Sequence, residues 1–115
     1  MQYEGSCHCG RIAFDVEGEF LSGMDCNCSI CRRRGSILAF VPRSDFHLRT
    51  PEENVSTYTF NTHTLQHRFC ATCGVAPYAE GKGPDGSPMA AINLRCVPAV
   101  DLSELQMTHF DGASR

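Results

Sequence analysis

Seven of the eight cysteines fall into three tight clusters: Cys7-x-Cys9, Cys26-x-Cys28-x-x-Cys31 and Cys70-x-x-Cys73. Thiolates this close in sequence suit a tetrahedral metal ion such as zinc, with Zn–S bonds of about 2.3 Å. Four ligands close a structural site, whereas three leave a coordination position for water or substrate. The pattern predicts a fold built around one zinc, with chemistry at a second. A disulfide framework is the alternative. It fits less well, because C-x-C and C-x-x-C are ligand spacings while disulfide scaffolds spread their cysteines. The opening Met-Gln-Tyr-Glu-Gly-Ser-Cys is polar and has no apolar leader run. A reducing, cytoplasmic location is the expectation, and no stretch approaches the length of a membrane span.

The chain has 115 residues and is expected to form one domain over 1–115. A domain of this size buries a modest core and gains from metal support. Its net charge of −3 argues against a nucleic-acid platform, whose affinity rests on basic surface. The run Arg32-Arg33-Arg34 is the local exception. It reads either as a solvated turn or as an anion-attracting patch beside the central cysteine trio.

Strands are easier to see than helices. Arg11 to Val16 alternates, with Ile12, Phe14 and Val16 on one face. Ser36 to Val41 is apolar on both faces and reads as a buried strand. Val55 to Phe60 is β-branched and aromatic, and 62–69 puts His63, Leu65, His67 and Phe69 in one phase. Val75 to Glu80 reads as a short strand that Pro77 would confine to an edge. Met89 to Val97 reads as a longer one. The Gly-Lys-Gly-Pro-Asp-Gly-Ser-Pro stretch between them, residues 81–88, has turn chemistry and predicts a hairpin. Its glycines spell G-x-G-x-x-G, but no helix follows, so it is not read as a nucleotide loop. Asp101 to Met107 is the one helix candidate. The fold class expected is mainly β with long loops.

Phe69-Cys-Ala-Thr-Cys-Gly74 reads as a metal knuckle, its glycine tolerating the exit from a tight turn. Cys7 and Cys9 are the natural partners of Cys70 and Cys73. Joining them would staple a loop of about sixty residues and make metal binding part of folding. The trio Cys26, Cys28 and Cys31 can wrap a second ion from one short loop. Cys96 is a possible fourth ligand, but in an extended strand it shares the phase of Ile92 and Leu94, which favours core packing. Asn93 and Arg95 would share the opposite face and could line a site. His8, Asp25, His47, His63, His67 and His109 are conceivable ligands without ligand spacing to the trio. An open position is favoured. Three thiolates leave a site net negative and soft, suited to a further thiolate more than to hydroxide chemistry. The arginine run could hold a substrate's carboxylates. The residues thus point to thiol chemistry on small molecules.

Gly5-Ser-Cys-His-Cys-Gly10, Cys26-x-Cys-Ser-x-Cys31-Arg with Gly35-Ser36, Phe69-Cys-x-x-Cys-Gly74, Asn93-x-Arg95-Cys96 and the ending His109-Phe-Asp-Gly-Ala-Ser114 form a specific series. It resembles the glutathione-dependent formaldehyde-activating enzyme family, which also includes the centromere protein V domain. The resemblance spans essentially the whole chain. It implies a zinc-stapled β-tent of small antiparallel sheets. It also implies a structural zinc on Cys7, Cys9, Cys70 and Cys73, and a second zinc on Cys26, Cys28 and Cys31. The implied activity is formation of S-hydroxymethylglutathione, a carbon–sulfur lyase reaction with glutathione as co-substrate. Arg32, Arg33, Arg34 and Arg95 are the candidate glutathione contacts. Two other classes share these motifs: a module that binds glutathione or another thiol without catalysis, and a chromatin or protein-interaction module. The acidic charge balance counts against the last.

Overall fold

The computed structural model describes residues 1–60 and 63–114. Among the described residues ten strands occur in chain order: β1 (Gln2–Ser6), β2 (Ala13–Glu17), β3 (Ser22–Cys26), β4 (Leu38–Pro42), β5 (Phe46–Leu48), β6 (Val55–Tyr58), β7 (Gln66–Cys70), β8 (Tyr78–Lys82), β9 (Pro88–Asn93) and β10 (Gln106–Phe110). One α-helix, α1 (Ser29–Arg34), follows β3, and short 3-10 turns fill several connections. A small sheet has the order β1-β2-β5, and a larger one runs β10-β3-β4-β9-β8-β7-β6. The fold is mainly β, as the sequence predicts. Pairing is antiparallel as expected apart from one ladder: β10 runs parallel to β3, Phe110 opposite Cys26.

The large sheet has two differently employed faces. Partners across a ladder share a face. Ala39, Ile92 and Tyr78 form one row, and Val41 and Ala90 belong to the next row of that face. Against it lies the small sheet, bringing Phe14 and Phe46. The Phe46 and Tyr78 rings are 4.4 Å apart, and those of Phe14 and Tyr78 are 6.3 Å apart. Ile12, Phe14 and Val16 are fully buried here, as their alternation predicts. Gly5 lets β1 close on this core: a Cβ there would lie 2.3 Å from the Phe14 ring and 2.9 Å from the Cys96 carbonyl oxygen.

The opposite face carries Phe40, Ala91, Ala79 and His67 in one row, with Leu38 and Asn93 in the next. It looks into a cavity rather than a second core, which corrects the reading of residues 36–41 as buried on both faces. Phe40 is half exposed. Three further expectations are overturned. Pro77 lies just before β8, which is an interior strand between β7 and β9. The helix expected over 101–107 is a 3-10 turn at Leu102–Glu104 followed by β10. β9 stops at Asn93, because Leu94 N–H turns away to donate to Ile37 O and Asn93 Oδ1 caps Arg95 N–H. The hairpin across 81–88 is present, Lys82 opposite Pro88 and Gly83 N–H donating to Ser87 O. The β7 strand begins at Gln66, and position 62 of the predicted strand lies outside the described residues.

One ion cluster sits at the edge of the core. Glu80 accepts from Arg43 Nε and from Arg68 Nε, the latter at 2.8 Å, and its Oε2 also forms an ion pair with Arg68 Nη2 at 2.6 Å. Burial alone would raise the Glu80 carboxyl. The hydrogen bonds from the two arginines outweigh it and hold the group below the usual carboxylate range. Glu80→Gln leaves two guanidinium groups short of a charged partner. It is expected to cost roughly 1.5–3 kcal/mol in urea unfolding. Glu4→Gln, which removes the exposed pair with Arg49, should stay within about 0.5 kcal/mol of the parent. Equal effects for the two substitutions would overturn this ranking.

Candidate functional site

Two cysteine groups assemble as the spacing predicts. Cys7, Cys9, Cys70 and Cys73 bring their sulfurs within 4.8 Å of one another, and so do Cys26, Cys28 and Cys31. The Cys7–Cys9 and Cys9–Cys70 sulfurs are 3.7 and 3.6 Å apart. That is close to the ~3.8 Å edge of a tetrahedron with metal–sulfur bonds near 2.3 Å, so the donor set fits a metal ion. The backbone builds each knuckle. Gly74 adopts φ +82 and donates its N–H to Cys70 O, while Cys70 N–H reaches Val75 O. Cys73 N–H points at Cys70 Sγ, and Ile12 N–H points at Cys7 Sγ. Such donors stabilise thiolates: amides at Val75 and Cys9 draw the Cys73 thiol down to about 6.

The trio sits where β3 ends. Cys26 is the last residue of that strand, Cys28 precedes the helix, and Cys31 lies on its first turn. The arginine run is therefore helical rather than a turn, and Gly35 ends the helix with φ +70, its N–H on Cys31 O. Burial and the neighbouring Cys28 sulfur push the Cys31 thiol up to about 12. A divalent cation among the three sulfurs would reverse that shift. Among the described residues no fourth cysteine, histidine or carboxylate joins this group. His109 pairs instead with Asp25 at 3.3 Å, and His63 Nδ1 with Thr59 Oγ1 at 2.8 Å. Cys96 lies in the 3-10 turn after β9, so the strand phase used to place it does not apply. It is half-buried, and its thiol is pushed up to about 11 by burial and then by the nearby Cys7 and Cys73 sulfurs. Its neighbourhood is thus the four-cysteine group, which it does not join.

The tail closes over the trio. β10 pairs with β3, and Asn27 then bonds the following turn twice: Nδ2 to Asp111 Oδ1 at 3.0 Å, and Oδ1 from Ala113 N–H at 2.9 Å. Gly112 is in contact, since a Cβ there would lie 2.6 Å from Cys26 Sγ and 3.0 Å from Cys28 Cβ. The sequence gives no hint of this contact across more than eighty residues.

A cavity of about 1040 Å³ opens beside the trio. All three trio cysteines, Arg32, Arg33 and Arg34 line it, together with Asn93 and His67. Arg95 does not; its Nε donates to Gly35 O at 3.0 Å. Asn93 spends its amide on Ala76 O and Arg95 N–H. His67 was the harder residue to foresee. It is buried at 8 % exposure and stacked on Phe60 with centroids 5.4 Å apart, and its Nε2 has no hydrogen-bond partner among the described residues. Burial, then the charge of Arg34, lower its pKa and favour the neutral ring.

A sequence profile described as glutathione-dependent formaldehyde-activating enzyme matches residues 2–107. The crystal structure of a Rhodobacter sphaeroides protein superposes with a TM-score of 0.80 at 32 % identity, covering 93 % of this chain and 98 % of that one. The chain belongs to the glutathione-dependent formaldehyde-activating enzyme family.

The two cysteine groups should differ in what they hold together. Cys70→Ser cuts a link between segments some sixty residues apart and should cost on the order of 4 kcal/mol or more in thermal or chemical unfolding. Cys28→Ser disturbs one local loop, and the domain should stay folded while metal analysis falls by one ion per chain. Equal loss of stability would make both groups structural. Gly112→Ala should act as a milder Cys28→Ser, lowering metal retention at the trio under chelator challenge while the four-cysteine group keeps its ion. Unchanged retention would show that the tail merely lies nearby.

Proposed function

We propose that the protein is a zinc-dependent, carbon–sulfur lyase-like enzyme acting on glutathione or a related small thiol adduct. In this reading Cys7, Cys9, Cys70 and Cys73 hold a structural zinc, and Cys26, Cys28 and Cys31 hold a second. Both groups are assigned zinc because all seven donors are sulfur, and the Cys7–Cys9 and Cys9–Cys70 separations match a tetrahedral edge. One observation carries the proposal: three cysteine sulfurs and three consecutive arginines line the same cavity. A zinc ion on the trio would supply a soft Lewis acid for a thiolate sulfur. The reaction itself is an addition. The thiol sulfur bonds to the carbonyl carbon, the C=O π pair moves to oxygen, and the proton passes from sulfur to oxygen; no oxidant is needed.

The protein's own residues bind and orient. Arg32, Arg33 and Arg34 follow the last trio cysteine directly, and guanidinium groups pair with carboxylates in a fixed fork. Glutathione carries two carboxylates. Arg34 is the member close enough to influence both Cys31 and His67, so it is assigned the carboxylate nearest the imidazole. His67 is assigned a hydrogen bond to the same part of the substrate, which would satisfy its Nε2. Gly112 and Ala113, in the turn after β10, line the same cavity and pack beside the trio, so they narrow its access to water.

Adduct formation from formaldehyde and glutathione should run measurably above the spontaneous rate with the metal-loaded chain. Glutathione binding without acceleration would favour a non-catalytic thiol-binding module, and absence of both would leave the family's fold without its substrate. Arg34→Gln should weaken glutathione roughly tenfold in calorimetry, the effect of losing one charge-assisted hydrogen bond worth about 1.5 kcal/mol. Zinc content should not change. Unaltered affinity in Arg34→Gln and in the matching changes at Arg32 and Arg33 would return the run to a solvated surface.

A further inference from the structure

Resting on the thiol-adduct reading above, we propose that the cavity takes adducts of apolar carbonyl compounds, with the carbon chain lying along the sheet. Formaldehyde contributes a single carbon, and glutathione is polar throughout. Neither has a group to cover the wall that the sheet presents. In register, Phe40, Ala91 and Ala79 share one row, Leu38 stands beside them, and Met89 and Gly81 form the next row. All of these line the cavity. The centre of this wall is made of small residues and its margins of large ones, which describes a trough. Leu65 closes one side, close enough that a Cβ on Gly81 would lie 2.5 Å from its Cδ2.

Phe40 and Leu65 are 50 % and 52 % exposed, although they flank a cavity that carries the candidate site. Contiguous apolar surface left open in this way marks a binding site. The charge pattern selects the occupant. The arginines line the same cavity as the trio, so a ligand that fits both features is anionic near its sulfur and apolar beyond it. A second copy of the chain fits poorly: in a two-fold contact the same patch faces itself, setting one arginine run against another.

The addition is balanced as for formaldehyde. A longer aldehyde accepts the sulfur at its carbonyl carbon and the thiol proton at its oxygen, giving a 1-hydroxyalkyl thioether.

Stable thioethers test the binding without turnover. Calorimetry on the zinc-loaded chain would compare S-methyl-, S-butyl- and S-hexylglutathione. Affinity should rise about two- to fourfold per methylene, and Phe40→Ser should flatten that slope. Phe40 is half exposed, so this variant is expected to fold. Equal affinity for all three ligands would overturn the inference and leave the glutathione reading intact. No binding by any of them, S-methylglutathione included, would overturn the thiol-conjugate reading and the inference with it. Hexanoate binding as tightly as S-hexylglutathione would also overturn it, by showing that the sulfur and peptide contribute nothing. So would a dimer in sedimentation that Phe40→Ser converts to monomer, since the trough would then belong to a second copy.

Discussion

The meeting of Cys7 and Cys9 with Cys70 and Cys73 is the constraint on which the other contacts depend. It joins the end of β1 to the end of β7, and so fixes the small sheet against the large one. The hydrophobic contacts between those sheets, Phe14 and Phe46 on Tyr78, are strong but non-directional. They would tolerate sliding. Four sulfurs within 4.8 Å would not, because each is also held by the backbone turn of its own knuckle. The directional element therefore sits at one end of the core, and the rest of the packing is aligned by it.

The large sheet then does two jobs with one pleat. Successive side chains alternate between the core and the cavity, so neither function can be altered without regard to the other. Ile92 is fully buried, while its neighbours Ala91 and Asn93 line the cavity. The ion cluster of Glu80 with Arg43 and Arg68 sits at the border between core and cavity: Glu80 lines the cavity, and its arginine partners do not. Arg68 shares a row with Tyr78, on the core face, while His67, one residue earlier, faces the cavity.

Much of this was legible in the sequence, for reasons specific to each element. The cysteine groups were readable because ligand spacing is a short-range property. Ile12, Phe14 and Val16 were readable because one face of β2 is fully buried and the period is two. Residues 36–41 misled because both faces of β4 are apolar, one for the core and one for the cavity, and composition does not distinguish them. The helix α1 was hidden inside its own ligand motif. β10 shows no pattern at all: every one of its residues is exposed, and its place is set by pairing with β3. Cys96 was assigned by extending a strand that ends three residues earlier, where Asn93 turns its side chain back to cap the backbone. His67 was visible as a histidine on one strand phase with His63, Leu65 and Phe69; its place in the cavity is a tertiary fact.

The pairing of β10 with β3 has a consequence for the order in which the protein is made. Cys26 to Cys31 leave the ribosome roughly eighty residues before Phe110 and Gly112, which cover them. At about 5–20 residues per second that interval is on the order of 4–16 s. For that time the trio is an open loop of thiols, reachable by metal ions, oxidants and other thiols alike. The four-cysteine group, by contrast, has all its donors once residue 73 has emerged. The two groups are thus completed in sequence, the one that aligns the fold first and the one beside the cavity last.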